Sequence, residues 1–233
     1  MDLRGRIRFI YFDLDNTLWD FRRNTNIALR NVYDEKILKN KIKIDFNNFL
    51  DVYTNFNEEL WRAFERGETT AEELKVTRFD KTIEELGIRN LVKAEELNNL
   101  YIENLVQLPN LMPNAKKILE YLTPNYSMGI LSNGFEKGQY KKMNCSGILD
   151  YFNPIITSDG AGVSKPHPKI FNDAIEKSGF KTSEIAYVGD DYIVDTLAAN
   201  KMGILGILLD PQNRINDNNI IKITNLIELK KYF

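Results

Sequence analysis

The chain has 233 residues, 43% of them hydrophobic, with 31 Lys+Arg against 33 Asp+Glu, one cysteine and one histidine. That length allows one large domain or a core with an insert, and the apolar share fills a real core, which excludes global disorder. A formal net charge of −2 favours neither a nucleic acid polymer nor a membrane as partner, and a single thiol, Cys145, excludes an intramolecular disulfide and a cysteine-rich zinc site.

In chain order, residues 8–12 (RFIYF) form the first short apolar run, closed by Asp13. From about residue 19 to 107 no strand pattern occurs. Helical spacing of apolar residues runs instead over 25–38, 46–66, 71–86 and 94–105. Thr70 with Glu73 three positions on predicts a capped start, and Gly87 a stop. A helix over 114–122 ends before Pro124, and 126–131 is the second strand. Residues 154–157, 185–188 and 204–209 repeat that short, β-branched or aromatic pattern. Helices over 168–178 and 195–201 lie between them, stopping at Gly179 and Gly203. Residues 212–219 are an Asn/Asp-rich surface loop, 220–223 a last strand and 226–231 a last helix with Asn225 as cap. No apolar run approaches the roughly 20 residues that cross a bilayer. The N-terminal apolar stretch is too short and too soon charged for a signal peptide, so a reducing, cytoplasmic setting is expected.

Short buried strands alternating with helices predict an α/β fold, a doubly wound Rossmann-like parallel sheet. Residues 1–17 plus 111–233 would form this core, and 18–110 an all-helical domain inserted after the first strand. In such sheets ligands bind beyond the carboxyl ends of the strands. There this sequence places Asp13-Leu14-Asp15-Asn16-Thr17 after strand one and Ser132-Asn133-Gly134 after strand two. Ser164-Lys165-Pro166 follows strand three, and Gly189-Asp190-Asp191, with Asp195 beyond, follows strand four. Each alone reads as a turn, a helix cap or a solvated charge. Together they bring carboxylates, a hydroxyl and an ammonium to one sheet edge.

Phosphoryl transfer needs such a set: a nucleophile, an acid for the leaving oxygen, and positive groups around the phosphoryl oxygens. Magnesium takes hard oxygen ligands, and Asp13 with Asp190 can supply them between strands one and four. Lys165 and Ser132 can grip the phosphoryl oxygens, helped by backbone N–H groups near Asp15 and Asn133.

The four segments, in this order, resemble the motifs of the haloacid dehalogenase superfamily. Asp13-Leu14-Asp15-Asn16-Thr17-Leu18 is similar to the first and Leu131-Ser132-Asn133-Gly134 to the second. Lys165-Pro166-His167-Pro168 is similar to the third, and Gly189-Asp190-Asp191 through Asp195 to the fourth. The resemblance covers essentially the whole chain, and the helical insert resembles the family's alpha-helical cap. It implies Asp13 as nucleophile and Asp15 as the acid that protonates the leaving group and then the base that activates water. It implies Mg2+ held by Asp13, Asp190 and the Asp15 carbonyl, and phosphate bound by Ser132, Asn133 and Lys165. Lys165 would also restrain Asp13. Asp195 would stand behind the metal ligands, fixing Lys165 or a metal-bound water, with Asp191 less defined because the family varies there.

The second aspartate, Asp15, favours phosphate ester cleavage over dehalogenation, since the dehalogenase branch lacks it. A phosphonatase would need a cap lysine that the sequence does not place. More narrowly, Thr17-Leu18-Trp19-Asp20-Phe21 and Leu131-Ser132-Asn133-Gly134-Phe135 resemble the pyrimidine 5′-nucleotidases. The implied substrate is then a small phosphate monoester, a nucleoside monophosphate, with Trp19, Phe21 or Trp61 either stacking on its base or packing. A sugar phosphate phosphatase, a phosphosugar mutase, a dehalogenase and a non-catalytic metabolite-binding protein are the alternatives. His167, between two prolines, reads as positional, Tyr192 as lining the site or packing, and the Lys141-Lys142 pair as a solvated helix face.

Overall fold

Strand β1 (Phe9–Phe12) is buried at all four positions, as a strand covered on both faces must be. In the computed structural model, which describes residues 3–233, β1 lies inside a six-stranded sheet. The other strands are β2 (Ser127–Ser132), β3 (Ile155–Thr157), β4 (Ile185–Gly189), β5 (Leu205–Leu209) and β6 (Ile221–Ile223), in the order β3-β2-β1-β4-β5-β6. Every pairing is parallel, so this is the doubly wound Rossmann-like sheet expected. Phe12 pairs with Ile130 on one side and Val188 on the other. That register sets residues 13, 131–132 and 189–190 side by side at the carboxyl edge, where the strand order reverses.

The chain divides into two compact units, Met1–Phe21 with Pro109–Phe233, and Arg22–Leu108. The second is helical, from α1 (Phe21–Tyr33) through α2 (Phe46–Glu65) and α3 (Ala71–Glu85) to α4 (Ala94–Leu105). The helix expected over 25–38 begins earlier and changes to a π-helical turn over Asp34–Leu38. Asp45 caps α2 by accepting from Asn47 N at 2.8 Å. At α3 the capping box forms: Glu73 N donates to Thr70 Oγ1 at 3.2 Å and Thr70 N to Glu73 Oε2 at 2.8 Å, satisfying two donors the helix leaves open. Rings of Tyr53, Phe79 and Tyr101 meet at centroid distances of 4.8–5.7 Å. Arg78 is buried beside them. Its Nη2 donates to Asn98 Oδ1 at 2.7 Å and its guanidinium lies 4.9 Å from the Tyr101 centroid. Neutral acceptors and a ring face thus offset the desolvation of its charge.

In the sheet unit follow α5 (Ala115–Leu122), α6 (Glu136–Cys145), α7 (Ser158–Ala161), α8 (Pro168–Ser178) and α9 (Ala198–Lys201). Under α8 the core gathers Phe9, Tyr11, Ile170, Phe171, Ala174 and Tyr187. The buried Tyr11 hydroxyl donates to Ala174 O at 2.8 Å. Its ring crosses Gly129, where a Cβ would meet ring Cε1 at 2.5 Å; only glycine lets the two strands pair there. The segment expected as one helix over 195–201 is a π-helical turn, Tyr192–Leu197, leading into α9. Although the Lys141-Lys142 pair reads as part of a helix face, the sequence pattern gives α6 no bounds. Its buried face is Gln139, Lys142 and Met143, too polar to show an apolar stripe. No helix among the described residues is long and apolar enough to cross a membrane.

Candidate active site

The site grows from the ends of β1, β2 and β4. Asp13 follows β1, and its backbone N–H donates to Val188 O at 2.9 Å, extending the sheet by one residue. The chain then turns sharply. Leu14 O accepts from Leu18 N and Trp19 N, and Asn16 takes φ +61°, a left-handed conformation that asparagine tolerates. The turn brings Thr17 back, fully buried, so that its Oγ1 donates to Asp190 Oδ1 at 3.1 Å. The first and fourth polar segments are thereby joined.

Lys165, at 2% exposure, is the hub. Its Nζ donates to Asp13 Oδ1, Asp195 Oδ1 and Tyr187 Oη, each at 2.7 Å. An ammonium has three protons, and all three are committed. Burial by itself would lower the Lys165 pKa, but the adjoining Asp13 and Asp195 carboxylates outweigh it and hold it above the usual lysine range. The lysine is held from behind as well. Its backbone N donates to Asn133 Oδ1 at 2.6 Å, and Asn133 Nδ2 donates to Lys165 O at 3.1 Å. The Asn133 side chain therefore clasps the Lys165 backbone with its oxygen and one of its two amide hydrogens.

Asp13, Asp190 and Asp195 each bring a carboxylate oxygen within 4.8 Å of the other two. Burial, with repulsion from Asp195 added and only partly offset by Lys165, pushes Asp13 up to about 7. Burial and then Asp13 hold Asp190 well above the usual range. The three are not equivalent. Asp195 Oδ1 is taken by Lys165 and its Oδ2 accepts from Asp191 N at 3.1 Å. Gly189 makes room for it: a Cβ there would lie 2.5 Å from Asp195 Cγ. Asp13 Oδ2 receives no hydrogen bond among the described residues. Asp13 and Asp190 thus keep carboxylate oxygens available to a cation, while Asp195 anchors Lys165. Hard, buried carboxylates with an excess of negative charge suit magnesium. Asp191 turns elsewhere; exposed, it caps the Tyr192–Leu197 turn by accepting from Ile193 N and Val194 N.

Asp15, the second expected catalytic carboxylate, sits two residues from Asp13 and faces α6. Lys142 Nζ donates to its Oδ1 at 2.8 Å and Oδ2 at 2.9 Å, and Gln139 Nε2 donates to Oδ2 at 2.9 Å. Lys142 is 7% exposed. The reading of Lys141-Lys142 as a solvated face therefore holds for Lys141 and fails for Lys142, because one residue along a helix turns a side chain by about 100°. Ser132 Oγ accepts from Gln139 Nε2 at 2.7 Å and from Gly134 N at 3.2 Å.

The sequence pattern assigns no site role to Gln139, Lys142, Thr17 or Tyr187. A signal existed for the first two, polar residues three apart on a helix that follows a candidate motif. Trp19 is fully buried, 4.7 Å from Lys142 Nζ by its ring centroid, so it packs and does not present a stacking face. His167 caps α8, its Nδ1 accepting from Lys169 N at 3.1 Å. The Tyr192 hydroxyl donates to Asp217 at 2.8 Å.

Residues 7–203 match the family model described as haloacid dehalogenase-like hydrolase. The HAD-hydrolase YfnB of Bacillus subtilis is 27% identical over 231 residues, 98% of this chain and 94% of that protein. Its magnesium-bound crystal structure superposes with a TM-score of 0.88, covering 97% of this chain and 98% of the other. Pyrimidine 5′-nucleotidase YjjG of Escherichia coli is 28% identical over 227 residues, 96% of each protein. A glyceraldehyde 3-phosphate phosphatase of Pyrococcus furiosus is 28% identical over 201 residues, 85% of this chain and 79% of that protein.

Proposed function

The chain belongs to the haloacid dehalogenase-like hydrolases, and on that premise we propose that it is a magnesium-dependent phosphomonoesterase working through Asp13. The observation that carries this reading is the asymmetry of Asp13: Lys165 fixes Oδ1 at 2.7 Å, while Oδ2 has no hydrogen-bond donor among the described residues. A buried carboxylate with one oxygen restrained and the other free is oriented for attack. In the first half-reaction Oδ2 bonds to phosphorus as the ester P–O bond breaks, and Asp15 in its protonated form gives the leaving oxygen its proton. In the second, Asp15 as carboxylate takes a proton from water. The hydroxyl oxygen bonds to phosphorus as the Asp13 Oδ2–P bond breaks, which releases phosphate and regenerates the Asp13 carboxylate. Asp13 and Asp190, with the Asp15 carbonyl, would hold magnesium, which when bound supplies positive charge for the phosphoryl oxygens. Lys165 acts on that charge by its field and by restraining Asp13, and Asn133 keeps its backbone in place. Ser132 supplies a hydroxyl donor, and Asp195 holds Lys165.

We infer nucleoside monophosphates as the substrate class, with pyrimidine nucleotides preferred, in a reducing cytoplasmic setting. The nucleotidase relative supports this by aligning along nearly the whole of both chains, whereas the triose phosphate phosphatase leaves part of itself unmatched. The test is phosphate release from a panel of nucleotides, sugar phosphates and an aryl phosphate, with magnesium and then with EDTA. Magnesium-dependent release with a preference for pyrimidine monophosphates is expected. Preference for a sugar phosphate would overturn the substrate class, and release that survives EDTA would overturn the metal assignment.

A further inference from the structure

Helix α6 buries two residues that chemistry does not readily bury. Gln139 and Lys142 lie one turn apart, on one face, at 1% and 7% exposure. Lysine is seldom buried unless partnered, and here the partners are groups on which the proposed reaction depends. The Lys142 ammonium spans both oxygens of Asp15 at 2.8 and 2.9 Å. Behind it lie the rings of Trp19 and Phe21, with centroids at 4.7 and 5.5 Å, whose faces attract a cation and hold it in register with the carboxylate. Gln139 Nε2 bridges Asp15 Oδ2 at 2.9 Å and Ser132 Oγ at 2.7 Å.

Two consequences follow. With Asp15 ionised the Gln139 amide points one way, since its carbonyl oxygen turned toward the carboxylate would set two acceptors together. Ser132 Oγ, accepting from both Gln139 Nε2 and Gly134 N, has its two lone pairs taken and keeps only its proton to give. Gly134 belongs to the same arrangement, because a Cβ there would overlap the Gln139 amide.

We propose that Gln139 and Lys142 are positioning residues, which hold the Asp15 carboxylate in the orientation for proton transfer and fix Ser132 as a hydrogen-bond donor to the phosphoryl group. The assignment rests on the phosphatase reading of Asp13 and Asp15. It explains why a lysine and a glutamine occupy the buried face of α6, and it links the acid–base group to the phosphate-binding hydroxyl through one side-chain amide.

The test uses the full chain with magnesium. Lys142→Met keeps the stem against the two rings and removes the ammonium. It is compared with wild type and in an Asp15→Asn background, reading kcat/KM for an alkyl and an aryl phosphate monoester beside the melting temperature. General acid catalysis contributes on the order of 10²–10⁴-fold, so misorienting its carboxylate is expected to cost the alkyl ester about 10–100-fold. The aryl ester, whose leaving group needs no proton, should lose less than about 5-fold. In the Asp15→Asn background the same substitution should cost less than about 3-fold, because residues acting as a unit are non-additive. Lys142→Arg should restore part of the alkyl rate. Gln139→Met should weaken inhibition by inorganic phosphate about 10-fold, a charge-assisted hydrogen bond's share. Equal losses for both esters, or equal losses in both backgrounds, would overturn the Lys142 assignment in favour of a structural role. Unchanged phosphate inhibition in Gln139→Met would overturn the Ser132 half. If wild type released no phosphate from either ester, the phosphatase reading itself would fall and this assignment with it, an outcome distinct from the other two.

Discussion

Replacing Tyr187 by Phe removes one oxygen from the floor of the site and leaves the ring in place. That oxygen is buried and accepts from Lys165 Nζ at 2.7 Å while donating to Leu131 O at 2.8 Å. Burial, and then the Asp195 carboxylate, hold the phenol well above its usual pKa, so it keeps its proton at neutral pH. In the variant one N–H of a buried ammonium and one bond to a buried carbonyl go unmade. Each such loss costs about 1–3 kcal/mol. The ammonium stands at the upper end and the carbonyl, with a second lone pair, at the lower, so about 2–4 kcal/mol is expected. For a chain of this size that is a fall in melting temperature of roughly 5–15 °C. The measurement is urea denaturation followed by circular dichroism in EDTA, where no metal adds its own stabilisation. Catalytically the change should be smaller, because Asp13 Oδ1 and Asp195 Oδ1 still hold the lysine. A destabilisation below about 0.5 kcal/mol, that of an ordinary surface substitution, would refute the claim that all three Lys165 protons are committed.

Asp13→Asn removes the oxygen proposed to attack and should lower turnover on the order of 10⁴-fold or more, as loss of a nucleophile does; appreciable activity in a clean preparation would sink the assignment. Magnesium at about 100 times its dissociation constant should stabilise the wild type by about 2.7 kcal/mol. Asp190→Asn should abolish most of that gain, and thermal melts with and without the ion decide it. Gly189→Ala sets a methyl against a carboxylate that cannot swing away, with Asp195 Cβ at 2.6 Å. Overpacking of this kind costs typically 1–3 kcal/mol, and urea midpoints should show at least that. A neutral substitution would mean that Asp195 is not seated over this residue.

The sheet and its edge were legible because their signals are local. Each strand is a short apolar run, and the runs of β1 and β4 are closed by Asp13 and by Gly189-Asp190. Ser132 ends β2 and Lys165 lies in the loop beyond β3, so polar residues after successive runs mark one edge of the sheet. The second layer was hidden by the rule that exposed the first. Tyr187 lies inside an apolar run and counts as apolar there, so nothing in the pattern marks its hydroxyl as a partner of Lys165. Lys142 stands beside Lys141 and reads like it; only the rotation of α6 sends one to solvent and the other onto Asp15. A helix that packs on a polar site inverts its own periodicity, so the bounds and the buried face of α6 do not show in the apolar pattern. Asp191 and Asp195 could not be told apart by type, since one caps a turn and the other anchors the lysine through contacts set by tertiary structure.

The charge arrangement carries one further consequence. Lys142 neutralises Asp15 in a closed pair. With all three ionised, Lys165 stands alone against Asp13, Asp190 and Asp195, an excess of two negative charges that, with burial, pushes Asp13 up to about 7 and Asp190 well above its usual range. At about 4 Å and an effective dielectric near 20, each pair of unit charges interacts by roughly 4 kcal/mol, so the ionised site would repel the phosphoryl dianion of the proposed substrate. Lys165 has no spare proton with which to bridge the gap. A divalent cation between Asp13 and Asp190 would cancel that excess and set its own charge beside the phosphoryl oxygens, so binding, not turnover alone, should require it. Calorimetric titration of inorganic phosphate into the full chain should give an affinity at least about 100-fold weaker in EDTA than with magnesium, a difference of about 2.7 kcal/mol. Equal affinity in both conditions would show that phosphate is held elsewhere, away from the Asp13–Asp190 pair.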